Sequence, residues 1–407
     1  MELYVDVYNS MGVHLRNYFY MVSAGPNIVW GAFWIVSIFS INEIFVSQQF
    51  LWYGFLFAIG WISVLLSQAV IPHLSSHYST RIYRILISME IIGFILYPFS
   101  IIYKSIYGFL LISFFVGFLD EIAKGILPSV FKSISNDDNL KAGVSHLRSW
   151  NMASRAIGIA VSGLLYSLMG SITYFILAMI LFVFLLNSLK LPREVRISSE
   201  GSNKYDVNKI FKKFMANPIY SFINVFSSYE IIDGIFYIAM VEYAVSTLAM
   251  SSITYSILQI SMYATGILGA LIYKISKIRD QKIVLYTSIM SFLTVFLVFY
   301  SNGVLDFIIL MAVFIVLASV RGTLYYTTMY RYQEKGSINL VIAGYTLTTS
   351  ICRIIGLAVG DLLMTLFQPK LLFLTVGIAL IFNASLSIPK FLRTKHGKNN
   401  IRLEAEQ

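Results

Sequence analysis

Ten ionisable side chains stand inside apolar runs of this sequence. Six are acids, Glu90, Asp120, Glu121, Glu230, Asp233 and Asp361, and four are bases, Lys124, Arg155, Arg321 and Arg353. Groups of this kind hold protons and bind opposite charges. In GFLDEIAKGILP, residues Gly117, Asp120, Glu121, Lys124 and Pro128 fall on one stripe of a helix. Lys124 follows the two acids by three and four residues, the favourable order for a pair along a helix. In SSYEIIDGIFY, Glu230 and Asp233 lie one turn apart. Two carboxylates that close in a medium of low dielectric do not both ionise readily, so one of them can carry a proton.

These charges have to be placed by long apolar elements. Of the 407 residues, 57% are hydrophobic and 12% charged, about half the charge of a soluble domain. Mean hydropathy is +0.75. Such helices are apolar on every side, and their solvent is lipid. A charge at the bilayer centre costs about 2.5–3.5 kcal/mol on insertion scales, so the ten groups should face a bundle interior or a watery cavity and pair with one another. The first residues, MELYVDVYNSMGVHLRNYFY, contain acids and no apolar core of a signal peptide, so the first apolar helix is expected to stay as an anchor.

Twelve apolar spans are long enough to cross a bilayer: 17–41, 50–72, 83–103, 107–131, 145–168, 171–190, 217–243, 251–273, 283–300, 305–330, 339–366 and 370–390. Placing the N-terminus inside puts 24 of the 30 Lys and Arg residues in inside segments and two, Lys104 and Lys370, in outside loops. That bias predicts a multi-pass protein of the plasma membrane with both termini cytoplasmic. It also accounts for the net charge of +10 without a nucleic-acid partner.

Several chemistries are disfavoured. The single cysteine, Cys352, forms no disulfide or thiolate cluster within the chain. His73 and His77 in HLSSH have metal-compatible spacing but no supporting carboxylate, so no metal and no cofactor is expected. No GxSxG, HExxH or GxxxxGK[ST] motif is present, which argues against an enzyme and leaves no catalytic residue to name. The longest polar stretch, the connector after the sixth span, is too short to fold as a sensor's output domain.

The chain repeats itself. RAIGIAVSGLL from Arg155 returns as RIIGLAVGDLL from Arg353, an offset of 198 residues, in the fifth and eleventh spans. WGAFW from Trp30 and DGIFY from Asp233 are counterparts in the first and seventh. The expected architecture is all-α and integral to the membrane: twelve transmembrane helices in two pseudo-symmetric six-helix bundles. Residues 1–190 form the N-terminal bundle, 191–216 a cytoplasmic connector, 217–393 the C-terminal bundle and 394–407 a cytoplasmic tail. An even number of helices per copy gives both copies the same orientation.

With these motifs the sequence resembles the major facilitator superfamily over nearly its whole length. Within it, GILPSVF from Gly125, RAIGIAVSGLL and YEIIDGIFYIA resemble the drug-efflux branch, including macrolide-efflux-like members. Gly158 is followed by Ile159 rather than the branch's proline, and IPHLSSHYSTRIYR lacks the acid of its loop signature, although YKISKIRDQK keeps Lys277, Arg279 and Asp280. The resemblance implies a monomeric secondary transporter with alternating access around a central cavity. It also implies that Gly158, Gly163, Gly266, Gly356 and Gly360 let helices approach across the interface between the bundles and slide there.

The expected function is proton-coupled efflux of amphipathic small molecules. Importers or facilitators of a nutrient, ion or organic anion, and lipid flippases on the same fold, are the alternatives. Glu230, Asp233, Asp120 and Glu121 are the candidates for proton coupling. Lys124, Arg155, Arg321, Arg353 and Asp361 are the candidates for a switching charge network. Structural pairing is the competing role for all ten groups, and it is preferred for Glu90, placed near the cytoplasmic end of its helix. The lean toward function on the seventh helix rests on asymmetry, since the first helix has Asn27 and Trp30 where the seventh has Glu230 and Asp233. With 31 Phe, 27 Tyr and five Trp, many aromatics simply anchor at the interface. Asn27, Trp30, Trp34, Tyr229 and Tyr237 flank the polar stripes and are the cavity candidates.

Overall fold

The computed structural model describes residues 2–44, 49–74, 79–134, 140–191, 222–331 and 338–405. Among them all regular secondary structure is helical and there is no strand. Twelve α-helices follow in order: α1 Glu2–Ile44, α2 Gln49–Leu74, α3 Ser79–Ile102, α4 Ile106–Ile134, α5 Leu140–Met169, α6 Thr173–Ser188, α7 Ile223–Glu242, α8 Ser252–Ile275, α9 Asp280–Tyr300, α10 Val304–Arg331, α11 Ile338–Leu366 and α12 Pro369–Ala405. Nine segments of the described residues are long and apolar enough to cross a membrane, one of them the continuous stretch Trp150–Ser188 of α5 and α6. α2 adds a shorter apolar stretch, Leu51–Ser67.

Two ends differ from the sequence expectation. α1 begins at Glu2 rather than near residue 17, and α12 continues to Ala405, so the stretch 394–407, expected as a tail, is helical as far as Ala405. Hydropathy marks where lipid ends, not where the hydrogen-bonded ladder ends. Helix-forming residues continue the ladder past the lipid boundary. The connector 191–216 lies outside the described residues apart from Leu191, as does His77 of the HLSSH pair.

The chain divides into two compact units. The first comprises Met1–Lys204 with Ser251–Ile257, and the second Tyr205–Met250 with Leu258–Gln407. In the first unit α1 packs chiefly on α5 and also on α6, while α3 packs on α4 and α6. In the second, α7 packs on α11 and α12, and α9 on α10 and α12. The same four pairings thus occur twice, at equivalent places in the order of helices.

Apolar side chains gain little by leaving lipid for protein, so close van der Waals packing and interhelical hydrogen bonds hold such helices together. The closest approaches here are glycine on carbonyl. A Cβ at Gly158 would overlap the carbonyl of Ile28, and one at Gly31 the carbonyl of Arg155. In the second unit, Gly356 meets the carbonyl of Ile231, and Gly234 that of Arg353. Both crossings are reciprocal, with each helix offering a glycine to the other's backbone. Gly360 extends the second along Ile235 and Ile238.

Gly158, Gly356 and Gly360 close contacts within their own units. Gly163 lies against Ser252 and Ser256, which group with the first unit, and Ser252 Oγ donates to the Gly163 carbonyl at 2.9 Å. Gly266 makes only ordinary contact with Ile315 through its missing side chain, while Ser319 Oγ donates to its carbonyl at 2.6 Å. At Gly158 and Gly356 the partner atom is a backbone carbonyl of the same unit, which leaves no room for another helix at that point.

Other side chains complete each unit. Tyr97 and Tyr174 stack at 4.6 Å beside Phe94 and Phe109. Arg84 Nη2 donates to the carbonyls of Ser188 at 2.8 Å and Leu191 at 3.0 Å, satisfying the C-terminal end of α6 with a cation.

The crossings give a direct test. Gly158→Ala and Gly356→Ala should each destabilise the protein, near the upper end of about 1–3 kcal/mol for overpacking, because backbone cannot turn aside. Gly322→Ala, where an added Cβ meets nothing within 4 Å, should cost nothing. Thermal unfolding of the three variants in one detergent reads the difference.

Candidate functional site

Each unit buries its own group of charges, built on the crossing just described. In the first unit α4 supplies Asp120, Glu121 and Lys124. Asp120 is completely buried and ion-paired with Lys124 one turn later, and Glu121 Oε1 lies 3.8 Å from the same ammonium. The Lys124 ammonium also stands 5.0 Å above the Trp30 ring of α1. Arg155 of α5 acts electrostatically on Asp120 without pairing with it. Asp120, Glu121 and Lys124 thus meet along one stripe of α4.

Glu90 joins them, contrary to its expected structural pairing near the end of α3. It lies at mid-helix, 1% exposed, and forms no ion pair among the described residues. Asp120, Lys124 and Glu121 act on it electrostatically, with the Trp30 indole beside it. Its partner is therefore a cluster rather than a cation of its own. Hydropathy placed the start of α3 at 83, whereas the helix begins at Ser79, and that shift puts Glu90 deeper.

In the second unit, α7 supplies Glu230 and Asp233 on consecutive turns. Arg353 of α11 reaches both: Nη2 is 2.7 Å from Glu230 Oε2 and ion-paired with Asp233 Oδ2. The crossing explains this placement. Gly234 lies on the Arg353 carbonyl, so the arginine leaves α11 where α7 presents its acids. Tyr237, the next turn of α7, also acts on Arg353. Asp361, two turns further along α11, forms no ion pair among the described residues, and its Oδ1 is buried without a hydrogen bond.

Arg321 of α10 is separate from this pairing. It is completely buried, donates from Nη1 to Ser288 Oγ at 3.1 Å, and lies 4.8 Å above the Tyr229 ring. Beside it, Tyr325 donates to Asn383 Oδ1 at 2.7 Å, and Asn383 Nδ2 donates to Ser228 Oγ at 2.7 Å and the Val225 carbonyl at 2.9 Å. Ser288 and Asn383 went unnoticed in the sequence, since single polar residues in apolar helices carry no spacing signal.

The remaining cavity candidates are largely occupied. Asn27 Nδ2 donates to the Ser23 carbonyl of its own helix at 2.8 Å. Trp34 stacks on Phe57 at 5.4 Å and leans on Gly60. Two further acids escaped notice: Glu43 accepts a 2.6 Å hydrogen bond from Tyr166, and Glu242 ends α7 where a π-helical turn, Tyr243–Thr247, begins. Among the described residues no group of three or more His, Cys, Asp or Glu could hold a metal ion.

No protein-family model and no characterised relative matches the sequence. Solved structures do match. The nucleoside transporter NupG has a TM-score of 0.71 at 14% identity, covering 93% of this chain and 99% of that one. A bacterial homologue of the iron transporter ferroportin, in an inward-facing state, has 0.74 at 12%, covering 93% and 98%. The POT family transporter PepTSo has 0.72 at 10%, covering 94% and 98%. At these identities the likeness concerns the fold, which is the major-facilitator-type helical fold expected above. It does not distinguish a drug-efflux branch.

The first cluster yields a prediction. Lys124→Met leaves Asp120 buried without its cation and should cost about 3–5 kcal/mol. Adding Asp120→Asn should restore part of that loss, because the charge is gone. A double-mutant cycle in thermal unfolding measures the coupling.

Proposed function

We propose that the protein is a secondary active transporter working by alternating access, which moves an amphipathic small molecule out of the cell in exchange for protons. It is not an enzyme in this reading, and it lies in the plasma membrane with both termini cytoplasmic. The observation that carries the proposal is Arg353 held between Glu230 and Asp233. Two carboxylates face one fixed cation in a medium of low dielectric. The group is neutral when it holds one proton and negative when it holds none, so its proton occupancy can be linked to a change of state.

The fold supports transport as a class, since the similar structures bear the names of nucleoside, metal, peptide and sugar transporters. One of them, at 11% identity, is a D-xylose-proton symporter. Direction rests on the efflux-like motifs alone. An importer of a nutrient or organic anion would use the same groups, and accumulation in expressing cells separates the two. Export lowers accumulation and import raises it.

Purified protein in liposomes under an inward proton gradient tests the coupling. Internal pH is followed while a mixed compound library is screened. Wild-type protein should show substrate-dependent proton flux. Glu230→Gln should fold normally, keep transport down a substrate gradient and lose its dependence on pH. Unchanged pH dependence in that variant removes Glu230 from proton handling, and transport without proton flux recasts the protein as a facilitator.

A further inference from the structure

Of the four bases at depth, three are accounted for by acids of the same unit. Lys124 is held by Asp120 and Glu121, Arg353 by Glu230 and Asp233, and Arg155, partly exposed, faces the field of Asp120. Arg321 is the exception. It is 0% exposed, yet it forms no ion pair among the described residues. Ser288 accepts one hydrogen bond and Tyr229 lends its ring face and its phenol, while Nε and Nη2 have no hydrogen-bond partner among the described residues. On its own helix Val320, Leu324 and Tyr325 belong to an apolar cluster with Phe222, Val225, Ile283 and Val284.

A buried guanidinium needs a counter-charge, because a ring face and one hydroxyl replace only part of its lost hydration. The geometry says what kind. Nε and Nη2 share one edge of the planar group, and their N–H bonds run parallel. That edge matches the two oxygens of a carboxylate or phosphate, the fork-to-fork pairing that arginine makes best. The occupied nitrogen, Nη1, is on the other side, so Ser288 steadies the group and leaves the fork free.

We propose that Arg321 binds the anionic end of the transported molecule, a carboxylate or phosphate monoester, side-on through Nε and Nη2 with Tyr229 beneath. This deepens the transport reading and rests on it for the word transported, but the anion site stands on the unpaired fork. Tyr229 joins the site to the proton-handling group, since Arg321, Asp233 and Glu230 all act on its phenol. The substrate class is thereby narrowed to amphipathic anions.

The test needs no transport. Full-length protein in detergent is melted with benzoate, phenyl phosphate, neutral benzyl alcohol or cationic benzylamine. The two anions should stabilise wild type, and the neutral and cationic analogues should not. Arg321→Lys, which keeps charge but loses the fork, should weaken apparent anion affinity about tenfold. Arg321→Met should abolish the response, and without ligand it should melt no lower than wild type, because an uncompensated buried charge has been removed. Lys370→Gln, at the start of α12, serves as the control for lost charge and should respond as wild type does.

Two results overturn the proposal. One is the absence of anion stabilisation in wild type. The other is an equal anion response in wild type and Arg321→Met. A lowered melting point for Arg321→Met together with that equal response assigns Arg321 a structural role. Because proton flux is not measured, failure here leaves the coupling at Glu230 to be judged by its own experiment.

Discussion

Lipid removes the force that packs soluble cores. An apolar side chain is as well solvated by acyl chains as by another helix, so helices associate where their backbones can touch. In this chain the touch is reciprocal, with Gly31 and Gly158 in one unit and Gly234 and Gly356 in the other, each on a facing carbonyl. Those two crossings set the relation of α1 to α5 and of α7 to α11. They also fix where the arginines leave their helices. The carbonyls of Arg155 and Arg353 are themselves the atoms the facing glycines meet, so each side chain starts from a rigid point.

The scaffold is therefore copied, but the chemistry laid over it is not. At the crossing in the second unit, α7 presents Glu230 and Asp233, and Arg353 binds both. The equivalent places on α1 hold Asn27 and Trp30. Without an acid there, Arg155 looks instead toward Asp120 on α4, which already has Lys124. The same backbone frame thus carries an acid-rich cluster in one unit, with no ion pair for Glu90 among the described residues. In the other it carries an ion-paired triad beside a cation, Arg321, that forms no ion pair among the described residues.

That asymmetry argues against pure scaffolding. Ion pairs that only hold helices together would be duplicated with the helices, and burying charge for that purpose gains little over apolar packing. Groups that differ between copies of one frame are not explained by the frame alone. The π-helical turn at the end of α7, next to half-buried Glu242, is a further departure from regularity in the helix that bears the triad.

The sequence by itself determined the solvent, the number and order of the helices and the existence of two copies. Hydropathy, composition and a repeated string are local or periodic quantities that need no knowledge of neighbours. It also identified the charges inside the membrane and the pairing along α4, because residues three and four apart on one helix must meet. What it could not supply was partnership between helices. Glu90 seemed peripheral, the partners of Gly158 and Gly356 were not legible, and Arg321 and Arg353 seemed alike. Which arginine is ion-paired and which keeps an open fork depends on the rotation of α7, α10 and α11 about their axes. Glycine-to-carbonyl contact fixes the rotation of α7 against α11, and the tertiary structure alone decides it.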